Sequence, residues 1–201
     1  MKVILDVEAI AYPLTGIGRY TLALARGLES SPQIEDVRFF TGGRWINNLD
    51  DLVKNNTVHG DGASVPSKVA LRRQIPFRRL ARLARWGYGH FSAWRFHQQV
   101  KQLTGYVYHA PNYRLLPYSA AQSVVSIHDL SFIRHPEFHP KERAEYWQRE
   151  IHNVVKRATH VITDSEFQRQ EIIELLDIDE ERGSRAVGPR NQLVLAVSTK
   201  P

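Results

Sequence analysis

Two glycines flanking one isoleucine, Gly16-Ile17-Gly18, stand directly before a run with helical spacing. Helix N-termini carry unpaired N–H groups and the positive end of the peptide dipole, so such a loop suits phosphate. Glycine also lets a ligand come close to the backbone. The third glycine of a dinucleotide-binding fingerprint is missing, since Leu22 and Ala23 stand near its place. The same stretch also reads as a plain loop-to-helix junction. A second candidate is His128-Asp129, where an imidazole can donate to a sugar hydroxyl or accept a proton. The competing reading is that His128 closes a strand and Asp129 caps the turn after it. His109-Ala110-Pro111-Asn112 repeats the pattern of a histidine at a strand end, with the same structural alternative.

A third feature is electrostatic. No acidic residue falls between Asp61 and Asp129, whereas Arg72, Arg73, Arg78, Arg79, Arg82 and Arg85 all do. Phe77, Trp86, Tyr88, Phe91, Trp94 and Phe96 are interleaved with these charges. The stretch 77–86, FRRLARLARW, is amphipathic, with Phe77, Leu80 and Ala84 on one face and Arg78, Arg82 and Arg85 on another. Arginine with interfacial aromatics is the pattern of a helix lying on an anionic membrane. RNA is the competing partner, because the same side chains stack on bases, and a solvated face is the third reading. The membrane is favoured, since the aromatics lie beside amphipathic helices rather than on strands.

Several chemistries are excluded by what is missing. The sequence has no P-loop ending in Gly-Lys-Ser/Thr, no metal-ligand spacing on a helix and no serine nucleophile elbow. It has no cysteine, which removes disulfides, thiolate metal sites and cysteine nucleophiles. No apolar run is long enough to cross a bilayer, and no signal peptide is expected at the start.

These residues need elements to position them. Val3 to Val7 reads as a buried strand, followed by the glycine loop, a helix carrying Ile17, Tyr20, Thr21, Leu24 and Leu28, and a strand from Val37 to Thr41. That is a βαβ start, the beginning of a doubly wound sheet. The segment 42–104 is less regular, with a loop over 55–67, the amphipathic helix and a helix near 92–103. The rhythm then resumes with strands at 106–109 and 123–127, a long helix through Ala144 to Ala158, a strand at 161–163, and a helix to Leu176 opened by Ser165 with Gln168 as its capping partner. An apolar strand, 193–197, comes last. With 201 residues and 42% hydrophobic content, one good-sized core or two small domains are expected. The expected fold is α/β, a Rossmann-like, doubly wound, mostly parallel sheet, and ligands of such sheets bind beyond the carboxyl ends of the strands.

Four stretches, TGIGRYTLALARGL, YHAPNYRLLP, SVVSIHDLSFIRHPEFH and ATHVITDSEFQRQEIIELLDI, occur in an order and spacing that resembles glycosyltransferase family 4. The likeness is strongest to bacterial enzymes, often mannosyltransferases, that build O-antigens and related polysaccharides, and it covers Met1 to about Ile178. It implies the N-terminal half of a GT-B fold, in which two Rossmann-like domains face a cleft. It also implies a retaining transferase that uses a nucleotide sugar, needs no metal or other cofactor, and acts on a lipid-linked saccharide. By resemblance, Gly16 and Gly18, with Ile17 and Arg19 beside them, reach the donor diphosphate, and His128 contacts the transferred sugar as the catalytic residue. Asp129, His109 and Asn112 carry over as substrate-binding residues.

The resulting expectation is a domain spanning 1–178 with a basic insertion at 62–104. Residues 179–201 would be a truncated linker and the first strand of a missing donor domain, leaving this chain inactive alone. The protein would sit in the cytoplasm on the inner face of the membrane, held by Arg72, Arg73, Phe77, Arg78, Arg79, Arg82, Arg85 and Trp86, with no nucleic acid partner. A non-catalytic remnant that binds anionic lipid or a partner subunit is the second reading. An epimerase of the same fold is a further one.

Overall fold

The computed structural model of the chain describes residues 1–11, 14–57, 91, 93–100, 102–116, 122–176 and 192–195. The helix expected at 77–86 and all eight expected membrane-contacting residues lie outside the described residues, as does most of the expected loop at 55–67.

Seven strands form one sheet in the order β3-β2-β1-β4-β5-β6-β7. They are β1 (Lys2–Asp6), β2 (Asp36–Thr41), β3 (Arg44–Ile46), β4 (Tyr106–Ala110), β5 (Ser123–Ser126), β6 (His160–Thr163) and β7 (Gln192–Leu195). Every pairing is parallel except that of β2 with β3. This is the doubly wound α/β architecture expected. The last strand, foreseen as the start of another unit, pairs with β6 in this same sheet.

β1 lies inside the sheet, between β2 and β4. A strand flanked on both edges and covered on both faces is apolar along most of its length, and Val3, Ile4 and Leu5 are all buried. Side chains alternate between the faces. Ile4 and Phe40 join one core with Tyr108, Val125 and Ile151, whereas Leu5 and Phe39 join the other with Ile10, Ala25 and Leu49. The second core is covered by α1 (Gly16–Ser30) and α2 (Leu49–Thr57), and the first by α3 (93–100) and α5 (Lys141–Arg157). α6 (Glu166–Leu176) adds Ile172 and Leu176 to that first core.

Three features lie where the sequence pattern predicts no regular element. Gly42 and Gly43, both at positive φ, form the two-residue turn that lets β3 return antiparallel on β2. Both central residues of such a hairpin turn adopt a conformation that glycine tolerates best. α2 opens on Asn48, whose side chain accepts from the Asp50 amide at 2.9 Å. A short helix, α4 (Ser131–Arg134), and a 3₁₀ turn, Pro136–Phe138, fill the connection from β5 to α5. No described helix is long and apolar enough to cross a membrane.

The order of strands sets the location of any ligand. From β1 the chain winds outward to β2 and β3, then returns to place β4 on the other side of β1. Beyond the carboxyl ends of β1 and β4 the two connections diverge and leave a crevice.

Candidate functional site at the carboxyl edge of the sheet

α1 begins at the crevice. Thr15 caps it, accepting the Gly18 amide on Oγ1 at 3.3 Å, while its carbonyl accepts the Arg19 amide at 2.9 Å. The first-turn amides of Gly16 and Ile17 are thus the uncommitted ones among the described residues. The two glycines differ in what they do. A Cβ on Gly16 would meet nothing within 4 Å, whereas one on Gly18 would stand 3.0 Å from the Ala9 carbonyl oxygen and 3.2 Å from Leu14 Cδ1. Gly18 is required for packing, and Gly16 leaves open space above the helix end. Arg19 is exposed, with no ion pair among the described residues.

His128 stands two residues past β5, and its ring is held from three sides. Nδ1 lies 2.6 Å from Asp164 Oδ2, Nε2 lies 3.0 Å from the Pro111 carbonyl oxygen, and the Tyr20 ring meets it edge-on at 4.7 Å. Both oxygens are acceptors, so both bonds form together only when each ring nitrogen donates. Gln168 donates to the His128 carbonyl and accepts from the Thr163 hydroxyl and the Asp164 amide at 3.2 Å each. Half of the capping box read from the sequence is present: Ser165 Oγ accepts the Gln168 amide at 3.2 Å, but the Gln168 side chain accepts the Asp164 amide rather than that of Ser165. The glutamine side chain instead ties α6 to the histidine loop.

The other expected residues are brought to the same edge in different states. His109 is buried and bonds Ser126 Oγ through Nε2 at 3.0 Å, and that hydroxyl lies 3.3 Å from the Tyr20 hydroxyl. Burial, with His128 nearby, pushes the His109 pKa down to about 4, so it is a neutral ring beneath the site. Asn112 folds its side chain onto the Tyr113 amide at 2.9 Å. Asp129 is committed to its own turn. It accepts from the Ser131 amide at 2.9 Å and hydroxyl at 2.6 Å, and from the Tyr113 hydroxyl at 2.8 Å. Burial pulls its pKa upward, but these donors outweigh it and hold it below the usual carboxylate value.

Residues that no motif singled out complete the edge. Asp164, Tyr20, Ser126 and the Pro111 carbonyl all bear on the two histidines. At the end of β1, buried Asp6 accepts from the Glu8 amide at 2.9 Å and the Tyr108 hydroxyl at 3.1 Å. Burial raises its pKa to about 6 against those bonds. Glu8 pairs with Arg114 at 2.5 Å, which fastens the connection after β1 to the one after β4. Among the described residues no cluster of three His, Asp or Glu is grouped to hold a metal.

With this geometry in place, comparison with known proteins gives the family. The family described as Glycosyl transferase 4-like domain matches residues 15–184. The chain belongs to it. An Escherichia coli relative, O-antigen chain mannosyltransferase B, is 32% identical over 182 residues, which is 90% of this chain. Those residues are 45% of the relative's own length, so the chain spans about half of the curated relative it matches. No solved structure matches the chain. Within this glycosyltransferase 4-like domain the matched region takes in α1, both histidines and Asp164.

Proposed function

We propose that the chain is the acceptor-side half of a retaining glycosyltransferase with two Rossmann-like domains. It moves a mannosyl or related hexosyl unit from a nucleotide sugar to a lipid-linked saccharide at the inner face of a membrane. The observation that carries this reading is the meeting of the α1 N-terminus and His128 at one crevice, through the Tyr20–His128 contact. Family membership and the mannosyltransferase relative support the sugar transfer.

In this reading the acceptor hydroxyl oxygen bonds to the anomeric carbon as that carbon's bond to the diphosphate oxygen breaks. The hydroxyl proton passes to the departing diphosphate. Charge grows on the leaving oxygen, and the uncommitted amides of Gly16 and Ile17, with Arg19 beside them, are donors aimed at such charge. His128 hydrogen-bonds the sugar. Asp164 holds Nδ1 and so orients the ring, with Nε2 toward a sugar oxygen, while the proton leaves on the diphosphate. No metal enters the scheme.

The test joins this chain to the part of the Escherichia coli relative that lies outside the matched residues and follows transfer from a nucleoside-diphosphate mannose to a lipid-linked saccharide. Replacing His128 by Ala removes one hydrogen bond to the sugar and is expected to lower kcat/KM by roughly tenfold. A folded, active chimera whose rate is indifferent to that substitution overturns the role given to His128.

A further inference from the structure

The connection from β5 to α5 builds a second feature on the same edge of the sheet. Pro136, Glu137 and His139 on one side, and Lys141, Ala144, Glu145 and Gln148 from the first turns of α5 on the other, line a cavity of about 480 Å³ that is broadly open to solvent. Small-molecule sites commonly fall between about 300 and 1,000 Å³. We propose that this cavity is a carbohydrate subsite for a sugar unit of the acceptor. The inference rests on the transferase reading for the word acceptor, but not for the chemistry of the cavity.

That chemistry is mixed in sign and rich in both donors and acceptors. The carboxylates of Glu137 and Glu145 accept, the Lys141 ammonium donates, and the Gln148 amide offers both functions, while His139 has Nε2 engaged by Ser131. Ala144 and Pro136 supply apolar surface for the face of a sugar ring. The Lys141–Glu145 ion pair is long, 3.9 Å, and that of Glu137 with His135 is 3.4 Å between exposed partners. Hydroxyls can therefore exchange with weak surface pairs rather than break strong ones. A phosphate would face two carboxylates, and a simple cation would face Lys141. A neutral polyol satisfies every group.

The cavity is also wired to the crevice. His139 Nε2 bonds Ser131 Oγ at 2.9 Å, and that hydroxyl donates to Asp129 at 2.6 Å, next in the chain to His128. The Gln148 amide is fixed on the Phe132 carbonyl at 2.8 Å, which leaves its oxygen available. Asp129, carried over from the family resemblance as a substrate ligand, thereby acts as the post that positions the cavity wall.

The experiment uses this chain and methyl α-mannoside, followed by amide ¹H–¹⁵N NMR. Saturable shifts are expected at Glu137, His139, Glu145 and Gln148, with a dissociation constant of about 1–10 mM, as befits a single sugar unit. Glu145→Ala is expected to weaken binding about fivefold or more. Should that variant lose its native spectrum, Glu137→Ala, on the exposed 3₁₀ turn, is the substitute. Inorganic phosphate and methylamine, at the same concentration, are expected to leave these amides unshifted. No shift up to about 50 mM mannoside, shifts only elsewhere, or equal response to phosphate or methylamine overturns the proposal. Mannoside binding without transfer by the chimera would sink the transferase reading and leave the carbohydrate site standing. A His128-dependent transferase with no mannoside shift would do the reverse.

Discussion

At the scale of the residue, two buried groups at the crevice titrate in opposite senses. Asp6 has its pKa raised from 3.8 to about 6, chiefly by burial. Between those values the folded chain keeps a proton that the unfolded chain releases, so Asp6 makes stability fall as pH rises through the window. His109 has its pKa lowered from 6.5 to about 4. Below 6.5 the unfolded chain takes a proton that the folded chain refuses, so His109 makes stability fall as pH drops through its window. From about pH 4 to 6 the two oppose each other and the wild type hides both. Urea unfolding of single variants is expected to separate them. Asp6→Asn should gain on the wild type as pH rises from about 4 to 6, by on the order of 1–3 kcal/mol. His109→Gln, which keeps an amide near Ser126, should gain as pH falls below about 6.5. A difference from wild type that is flat with pH would refute the assignment for that residue. Neither state was readable in the sequence. A carboxylate ending a strand looks exposed until Tyr108, about a hundred positions on, closes over it.

At the scale of the element, the α1 entrance separates two uses of glycine that the sequence presents as one motif. Gly18 is crowded by a backbone oxygen that cannot swing aside, so Gly18→Ala should cost about 1–3 kcal/mol and lower the melting temperature. Gly16 has open space around a would-be Cβ, and alanine is the better helix former by up to about 1 kcal/mol. Gly16→Ala should therefore leave stability unchanged or slightly raised, while crowding any diphosphate laid over the first turn. In the chimera its cost is expected in the donor KM; a drop in melting temperature equal to that of Gly18→Ala would remove the distinction. The regular elements around this entrance were legible because each carries its own period and cap. α1, α5, α6 and the strands β1, β2, β4, β5 and β6 follow their apolar patterns to within a few residues. β3 was missed because three residues hold too little period, although the Gly42-Gly43 turn was a usable sign. The cavity wall was missed because α4 and the 3₁₀ turn are defined by Asp129, Ser131 and His139 bonding one another, which spacing alone does not reveal. His128 was found by its strand-end position. Its partner Asp164 was not, since their meeting depends on β5 and β6 lying side by side.

At the scale of the whole molecule, charge is unevenly distributed along the chain. The net charge is +6, and the interval 62–128 contains no acidic residue. Where that interval becomes structurally described, Phe91 and Trp94 stack at 6.0 Å while both stay more than half exposed, with Arg95 5.9 Å from the Phe91 ring. Exposed aromatics beside arginine suit the boundary between headgroups and acyl chains, where a ring is half desolvated and a guanidinium stays wet. A lipid-linked acceptor would be met at that boundary, while the crevice stays in water above it. Vesicle flotation tests the arrangement. The chain should float with vesicles containing anionic phospholipid, and not with neutral ones, and binding should fall as salt rises. Each juxtamembrane arginine contributes about 1 kcal/mol, so changing Arg72, Arg78, Arg82 and Arg85 together to Gln should weaken binding by at least about a hundredfold. Trp94→Ala should weaken it at every salt concentration, because the ring's contribution is not screened. Salt-sensitive capture of single-stranded RNA that displaces the vesicles, and is lost with the same four arginines, would instead assign the basic segment to nucleic acid. It would also detach that segment from the transfer reaction, since an acceptor carried on lipid has no reason to share a binding segment with RNA.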